Sequence, residues 1–138
     1  MVGAPFQTAE NLAAEMAFLE EFQPDMVGLG PFIPHAQTPF AREPAGSAEL
    51  TLFCLSLVRL LLPRVNLPAT TALATLRPDG YQAGILAGAN VVMPNASPAV
   101  AVQNYKLYDN VHVERIAGDV RQSPLAALLA EIGYGFGG

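Results

Sequence analysis

Short apolar runs that end at glycine or proline alternate with helix-like stretches along this chain. The runs cover residues 25–30, 66–72 and 91–93, and residues 1–5 have the character of the end of another strand. The stretches between them are about as long as the crossover connections that parallel strands require. We therefore expect an α/β fold, specifically a partial (half) parallel β/α barrel of the TIM-barrel type with about four β/α units.

Helix-start signals flank these runs. Thr8 is placed to cap a helix that continues to Phe22, with apolar residues recurring at helical spacing on one face. Ser47 and Glu49 open a second helix that stops at Pro63 and is apolar nearly all round, so we expect it to be covered on most sides. Pro78, Asp79 and Gly80 then turn the chain into a short helix through residue 87.

The later part of the chain gives weaker signals. A further short helix is expected over residues 98–107, and residues 111–116 and 124–132 are predicted to form one more strand and helix. The glycine-rich end, residues 133–138, is expected to be flexible.

Composition excludes several classes of partner. Only seven Lys and Arg residues are scattered along a chain of net charge −5, so there is no basic stripe for nucleic acid. The longest apolar stretch, residues 50–62, is shorter than the ~20 residues of a membrane span. No basic region followed by an apolar core opens the sequence, which favours the cytoplasm. Hydrophobic residues make up 51% and charged residues 14%, and so small a polar share favours a partner surface.

The single cysteine limits metal chemistry. Cys54 excludes an intrachain disulfide framework and any site of several thiolates built from this chain alone. Its place among leucines favours a small buried hydrophobe. His112 has no neighbours at ligand spacing, so we interpret it as a surface residue. His35 follows a predicted strand and is interpreted first as a residue that braces its loop, and second as a ligand donor or general base.

In a parallel barrel the loops that follow the strands gather on one face, where substrates bind. Residues 3–8, 28–35, 70–75 and 93–97 should therefore converge. Thr70 and Thr71 place hydroxyls there that suit a carboxylate or another small polar ligand, with ordinary β-branched packing as an equal alternative. Met26 and Met93 either form a soft apolar wall or belong to the plain core.

Two further patterns are a tyrosine pair and a short glycine-containing run. Tyr105 and Tyr108 either present both phenols towards the barrel mouth or cap an apolar layer with their hydroxyls in water. The Gly28-Leu29-Gly30 triplet is not a dinucleotide fingerprint, because the third glycine that the motif requires is replaced by Ile33.

Four motifs, taken in order, closely resemble one family. They are MVGxPxQT at residues 1–8, DMVGLGPFIPH at 25–35, PATTAL at 68–73 and GANVVMPN at 88–95. They are similar to the radical S-adenosylmethionine (SAM) maturases of FeFe-hydrogenase, the HydE type, which are relatives of biotin synthase. The resemblance covers residues 1–108 and corresponds to the C-terminal half of that family.

The resemblance implies a full β/α barrel that holds SAM beside a 4Fe-4S cluster. A 5′-deoxyadenosyl radical formed there acts on an iron complex with carbonyl, cyanide and cysteine ligands. The implied cavity residues are Met26, Thr70, Thr71, Met93, Tyr105 and Tyr108. The implied SAM-side loop is Gly30, Pro31, Phe32, Ile33, Pro34 and His35. The cluster motif CxxxCxxC belongs to the other half of the family, so no catalytic or metal-binding residue is expected in this chain.

The chain also departs from the family pattern. Phe6 and Ala74 stand where the family usually has glycine, and Ala36 and Gln37 replace a usual Pro-Asp pair. The resemblance ends at Tyr108, so residues 109–138 are interpreted as a divergent extension.

The sequence therefore predicts a C-terminal portion of a HydE-like radical SAM protein that is inactive alone. Its expected partner is a missing N-terminal barrel half or a second copy of itself, and its expected substrate is a small molecule or an iron complex. The alternative is a non-catalytic half-barrel that self-associates and binds a small ligand.

Overall fold

The computed structural model describes residues 1–93 and 119–137, and within them helices pack against one side of a small parallel sheet. The helices are α1 Ala9–Phe22, α2 Ala48–Leu61, α3 Thr71–Leu76, α4 Gly80–Leu86 and α5 Pro124–Glu131, with a 3₁₀ turn at Val120–Gln122. The two strands are β1 Pro68–Ala69 and β2 Val91–Val92. The fold is α/β, as expected.

Four extended segments pair in the order in which they occur along the chain, and every pair is parallel. The first segment (residues 1–3) joins the second (26–31) through Val2 and Pro31, and the second joins the third (66–69) through Met26 and Asn66. The third joins the fourth (91–92) where β1 pairs with β2. The three connections between these segments are helical: α1, then α2, then the α3–α4 pair. After each connection, the next segment lies beside the previous one in the sheet.

Capping sets the ends of α1 where the sequence predicts them. The Thr8 hydroxyl accepts a hydrogen bond from the Asn11 N–H, and the Asn11 side chain accepts one from the Thr8 N–H at 2.9 Å. This reciprocal pair satisfies two of the amide groups that a helix start leaves without a partner. The helix ends at Gln23, which adopts a left-handed conformation with φ 50°.

Helix α2 begins with Ser47, whose hydroxyl accepts from the Leu50 N–H at 3.0 Å, and it stops before Pro63. Its bounds agree with the prediction. The expectation that it is covered on most sides holds for one face only, because Phe53 and Leu60 are 59% and 77% exposed. No element of the described chain packs on that outer side.

The third segment stops earlier than the sequence predicts. The predicted strand runs to Ala72, but the Thr70 hydroxyl accepts from the Leu73 N–H and begins α3. A threonine hydroxyl competes with strand pairing in this way when good helix formers follow it. The strand prediction for residues 70–72 is therefore wrong, whereas the predicted short helix after Asp79 is confirmed as α4.

Apolar side chains form two buried clusters on the helical side of the sheet. The first joins α1 and α2 to the first three segments and includes Val2, Met16, Val27, Leu29, Cys54, Leu55, Val58, Leu62, Val65, Leu67 and Leu73. The second joins β1 and α4 to α5 and includes Ala69, Ile85, Ala89, Leu125 and Leu129. The predicted final helix is thus confirmed and packed. Phe136, from the glycine-rich end, packs against the second cluster.

Arg59 ties together the turns at the end opposite the predicted site. Its Nε donates to the Gly88 carbonyl at 2.7 Å, and its Nη1 donates to the carbonyls of Pro63 and Val65 at 2.9 and 3.0 Å. Gly88 has φ 115°, and a Cβ there would lie 2.7 Å from the Arg59 Cβ. The position therefore requires glycine both for its conformation and for its contact with Arg59.

Candidate functional site

The sheet has one face covered by helices and one open face. Residues on alternate positions of the second and third segments, such as Leu29 (4% exposed) and Leu67 (0%), point into the helical cluster. The positions between them point the other way, and parallel register aligns them across the sheet. The open face carries Met26, Gly28 and Gly30 on the second segment, Asn66, Pro68 and Thr70 on and after the third, and Val91 and Met93 on and after the fourth. Pro68 is buried although it belongs to this set.

Three residues form a row across the carboxyl edge of the open face. The pairing of Met26 with Asn66 brings Gly30 level with Thr70, and the pairing of Ala69 with Val92 brings Thr70 level with Met93. A Cβ on Gly30 would lie 2.8 Å from the Thr70 Oγ1, which confirms their contact independently. The row joins the start of the predicted SAM-side loop to two of the predicted cavity residues.

The two threonines have different local roles. Thr70 is half-buried, and its Oγ1 accepts from the Leu73 N–H at 3.4 Å. A hydroxyl has one donor besides its acceptor sites, and in the described part of the chain no acceptor for the Thr70 proton lies within hydrogen-bond distance. Thr71 is the first residue of α3, and its backbone carbonyl accepts from the Thr75 hydroxyl at 2.9 Å. Thr70 can therefore cap the helix and donate to a ligand at the same time.

The two methionines lie at opposite ends of the open face. Met26 is 50% exposed and level with Asn66, whereas Met93 is 58% exposed and level with Thr70. Four residues of extended chain separate these levels, about 13 Å at the usual rise. The two methionines therefore share one face of the sheet, as a common apolar wall requires, but they lie at different levels along it.

The loop over residues 30–35 is anchored by its first half. Pro31 and Phe32 are buried, and the Phe32 N–H donates to the Val2 carbonyl at 2.8 Å. Ile33, Pro34 and His35 are half-buried and form the accessible rim. The side chains of these three residues are therefore partly accessible at the sheet edge.

His35 takes part in a turn. Its Nδ1 accepts from the Gln37 N–H at 3.1 Å, and its carbonyl accepts from the Thr38 N–H at 3.0 Å. Acceptance at Nδ1 places the proton of the neutral ring on Nε2. This geometry supports the interpretation of His35 as a loop-bracing residue.

Two of the predicted site residues lie outside the described chain. Two polar residues of the described chain were not predicted from the sequence. Tyr105 and Tyr108 fall in the segment between residues 93 and 119, as does His112. Asn66 lies on the open face beside Met26, and the alternation of residues 66, 68 and 70 was the signal that could have found it. Gln7, which hydrogen-bonds to both Met1 and Gly3, had no such signal.

Metal-binding potential is low in the described residues. No group of three His, Cys, Asp or Glu side chains there could hold a metal ion. Cys54 is 2% exposed within the first apolar cluster, and burial raises the pKa of its thiol. The prediction of a small buried hydrophobe at this position is confirmed. Nor is any helix in the described ranges long and apolar enough to cross a membrane.

No model of a known family matches this chain. It is 50% identical over 108 residues to the [FeFe] hydrogenase maturase subunit HydE of Thermotoga maritima. That match takes in 78% of this chain and 31% of the maturase. The chain is HydE-like. The resemblance found from the four motifs is thereby confirmed.

A second curated protein is also similar to this chain. The HydE-like chain is 30% identical over 99 residues to the 3-methylornithine synthase of Methanosarcina acetivorans, which takes in 70% of the chain and 28% of the synthase. The HydE-like chain thus spans about a third of the length of each relative.

Proposed function

We propose that this chain forms the C-terminal half of a HydE-type radical SAM barrel, and that the assembled protein acts in FeFe-hydrogenase maturation in the cytoplasm. The 50% identity to the Thermotoga maturase supports the family assignment. The sequential parallel pairing of the four segments supports the barrel architecture, because a β/α barrel adds each strand beside the previous one.

The observation that carries the proposal is the shared orientation of three predicted cavity residues. Met26, Thr70 and Met93 occupy one face of the sheet, which the helices of the described chain leave open. In a closed barrel this face becomes the interior. The two methionines then provide apolar surface at two depths, and the Thr70 hydroxyl provides a donor at the level of Met93 for a small polar or anionic substrate group.

Residues around this row complete the proposed site. Thr71 follows Thr70 at the same edge, and Tyr105 and Tyr108 remain predicted cavity residues. Asn66 adds a polar group beside Met26. The substrate that this lining would take is a small molecule or an iron complex.

The residues of this chain suit one of the two cofactors of the proposed enzyme and not the other. A 4Fe-4S cluster needs thiolate ligands, and the single cysteine is buried with a raised pKa, so this chain's residues do not fit the cluster. The half-buried rim of the loop, Ile33 to His35, suits contact with a nucleoside group of SAM. SAM, when bound, supplies the radical chemistry, and the loop's part is to bind and orient it.

The two parts of the chain have separate proposed roles. Residues 1–108 form the barrel portion, and residues 109–138 form a divergent extension. Helix α5, in the extension, packs on the outer side of β1 and α4 through Leu125 and Leu129. Helix α5 therefore shields the helical side of the sheet.

Reassembly tests the proposal. The chain would be produced together with the portion of the Thermotoga maturase that has no counterpart in it, and the mixture reconstituted with iron and sulfide under reducing, anaerobic conditions. We expect 5′-deoxyadenosine from the mixture and none from either polypeptide alone. Production by this chain alone, or no production by the mixture while the intact maturase is active, would contradict the proposal.

A cavity variant sharpens the test. Thr70→Val combined with Thr71→Val in the reassembled protein should weaken binding of a carboxylate or similar anion by about 1–3 kcal/mol per buried group left unpaired. Because Thr70 also caps α3, Thr70→Ser serves as the control that keeps a hydroxyl. Unchanged affinity in the double variant would assign both residues to structure alone. A stable, soluble homodimer of the free chain would instead favour the self-associating half-barrel.

A further inference from the structure

The outer side of α2 carries apolar side chains, whereas a helix at a protein surface usually presents polar ones there. The buried residues of α2 face the first apolar cluster. On the opposite side, Phe53 and Leu60 are 59% and 77% exposed, and Leu50 and Leu61, near the two ends of the helix, are each 38% exposed. With the half-buried Leu57 between them, these residues form what we call the α2 strip. An exposed apolar strip of this kind marks a contact surface.

The α2 strip has the spacing of a helix-packing seam. Phe53, Leu57 and Leu60 follow one another at intervals of four and three residues, so they lie along one side of the helix. The same alternation of intervals is the one with which two long helices pack side by side. A helix of another molecule is therefore the shape of partner that suits the strip.

Charged residues of opposite sign stand at the two ends of the strip. Glu49 lies in the first turn of α2, Arg64 lies in the turn that follows the helix, and both are exposed. Arg59 is the only charged residue between them in the sequence, and its guanidinium donates to backbone carbonyls. The strip is therefore negative at one end, apolar in the middle and positive at the other end.

This order of charges makes the strip complementary to a reversed copy of itself. Phe53 lies four residues inside Glu49, and Leu60 lies four residues inside Arg64. A second α2 that runs antiparallel about one two-fold axis therefore brings Glu49 to Arg64 of the second copy and Phe53 to Leu60 of the second copy in the same register. The symmetry repeats both contacts, as in any interface formed by one patch on two identical molecules. In a parallel arrangement, like charges would meet at both ends.

We infer that two copies of this chain associate through the α2 strip, with the helices antiparallel, Glu49 paired with Arg64 and Phe53 packed against Leu60. The contact extends over one short helix, so it is small beside the ~800 Å² per partner of a standard interface, and the dimer is weak and reversible. The strip faces away from the sheet, so the open face stays free. The dimer therefore differs from a self-associating half-barrel, and it goes beyond the proposed function.

Sedimentation of the free chain over a range of concentrations provides the main test, because mass action makes the dimer fraction depend on concentration. We expect a monomer–dimer equilibrium whose dissociation constant rises about tenfold in Phe53→Ser, the effect of removing an aromatic residue from the centre of an interface. Phe18→Ser is the matched control, because Phe18 is also 59% exposed but lies on α1, and it should leave the equilibrium unchanged. A chain that stays monomeric, or a dimer that persists in Phe53→Ser, would overturn the inference.

Charge reversal tests the register. Glu49→Arg alone, and Arg64→Glu alone, each set like charges against each other at both ends of the dimer and should raise the dissociation constant several-fold at low salt. The two reversals together restore opposite pairs and should return it to the value of the unchanged chain. Arg42→Glu, at an exposed position in the loop before α2, is the control for the change of net charge. Single reversals without effect, or a double variant weaker than both, would overturn the antiparallel pairing.

Hydroxyl-radical labelling of the unchanged chain provides a readout that no substitution can disturb. We expect labelling of Phe53 to fall as the concentration rises, while labelling of Phe18 stays constant. Protection of Phe18 with constant labelling of Phe53 would place the association elsewhere and overturn the inference. Circular dichroism confirms that each variant is folded. The result does not depend on SAM cleavage by the reassembled protein, so this inference and the proposed function can fail separately.

Discussion

Gly30 and Thr70 lie side by side on neighbouring segments, with no room between them for a Cβ on the glycine. A Cβ at Gly30 would lie 2.8 Å from the Thr70 Oγ1, whereas one at Gly28 would meet nothing within 4 Å. The contact links the second segment to the cap of α3, so it fixes the carboxyl edge of the open face. Gly30→Ala should therefore lower the free energy of unfolding by about 1–3 kcal/mol, the usual cost of overpacking.

Urea unfolding of four variants tests this contact. Gly28→Ala is the matched control and should change the unfolding free energy little. In the double variant Gly30→Ala plus Thr70→Ala, the cost should be smaller than the sum of the two single costs, because the clash is absent. If the losses of unfolding free energy were additive, there would be no steric clash between the two residues.

Phe6 adopts a backbone conformation that suits glycine. Its φ is 67°, and its side chain is 88% exposed, so little packing offsets the conformational cost. The backbone at this position therefore favours glycine, in agreement with the residue that the resemblance leads us to expect. Phe6→Gly should stabilise the free chain by about 1 kcal/mol, measured by thermal or urea unfolding. A less stable variant would mean that the ring makes contacts that its exposure does not reveal.

Arg59 should stabilise the chain through its carbonyl contacts. Arg59→Ala removes a charged donor from the carbonyls of Gly88, Pro63 and Val65, and the loss should be about 2–3 kcal/mol of unfolding free energy. Arg59→Lys should recover only part of it, because an ammonium cannot reproduce the planar fork. Arg64→Ala, at an exposed position, is the control and should have little effect. Equal stability of the two alanine variants would show that the carbonyl contacts of Arg59 do not stabilise the chain.

Cys54 should react slowly in the folded chain. It is 2% exposed, and burial raises the pKa of its thiol, so the reactive thiolate is scarce and shielded. Modification by a thiol reagent at neutral pH should be much slower in buffer than in denaturant. The unfolded chain is the control for intrinsic reactivity. Rapid modification without denaturant would place the thiol outside the core.

The sequence alone determined the local features of this protein. Thr8 and Ser47 fixed the starts of α1 and α2, since capping depends on residues within one turn. Proline fixed the end of α2, and the apolar runs identified the extended segments. The four motifs identified the family, because their order and spacing are carried by the sequence itself.

Only the tertiary structure decided which residues lie beside one another and which remain uncovered. The row from Gly30 to Met93 and the order of the four paired segments depend on contacts between distant parts of the chain. Local pattern gives the period of each segment but not its register against a neighbour. Register follows from packing against the helices, and that is a property of the folded chain as a whole.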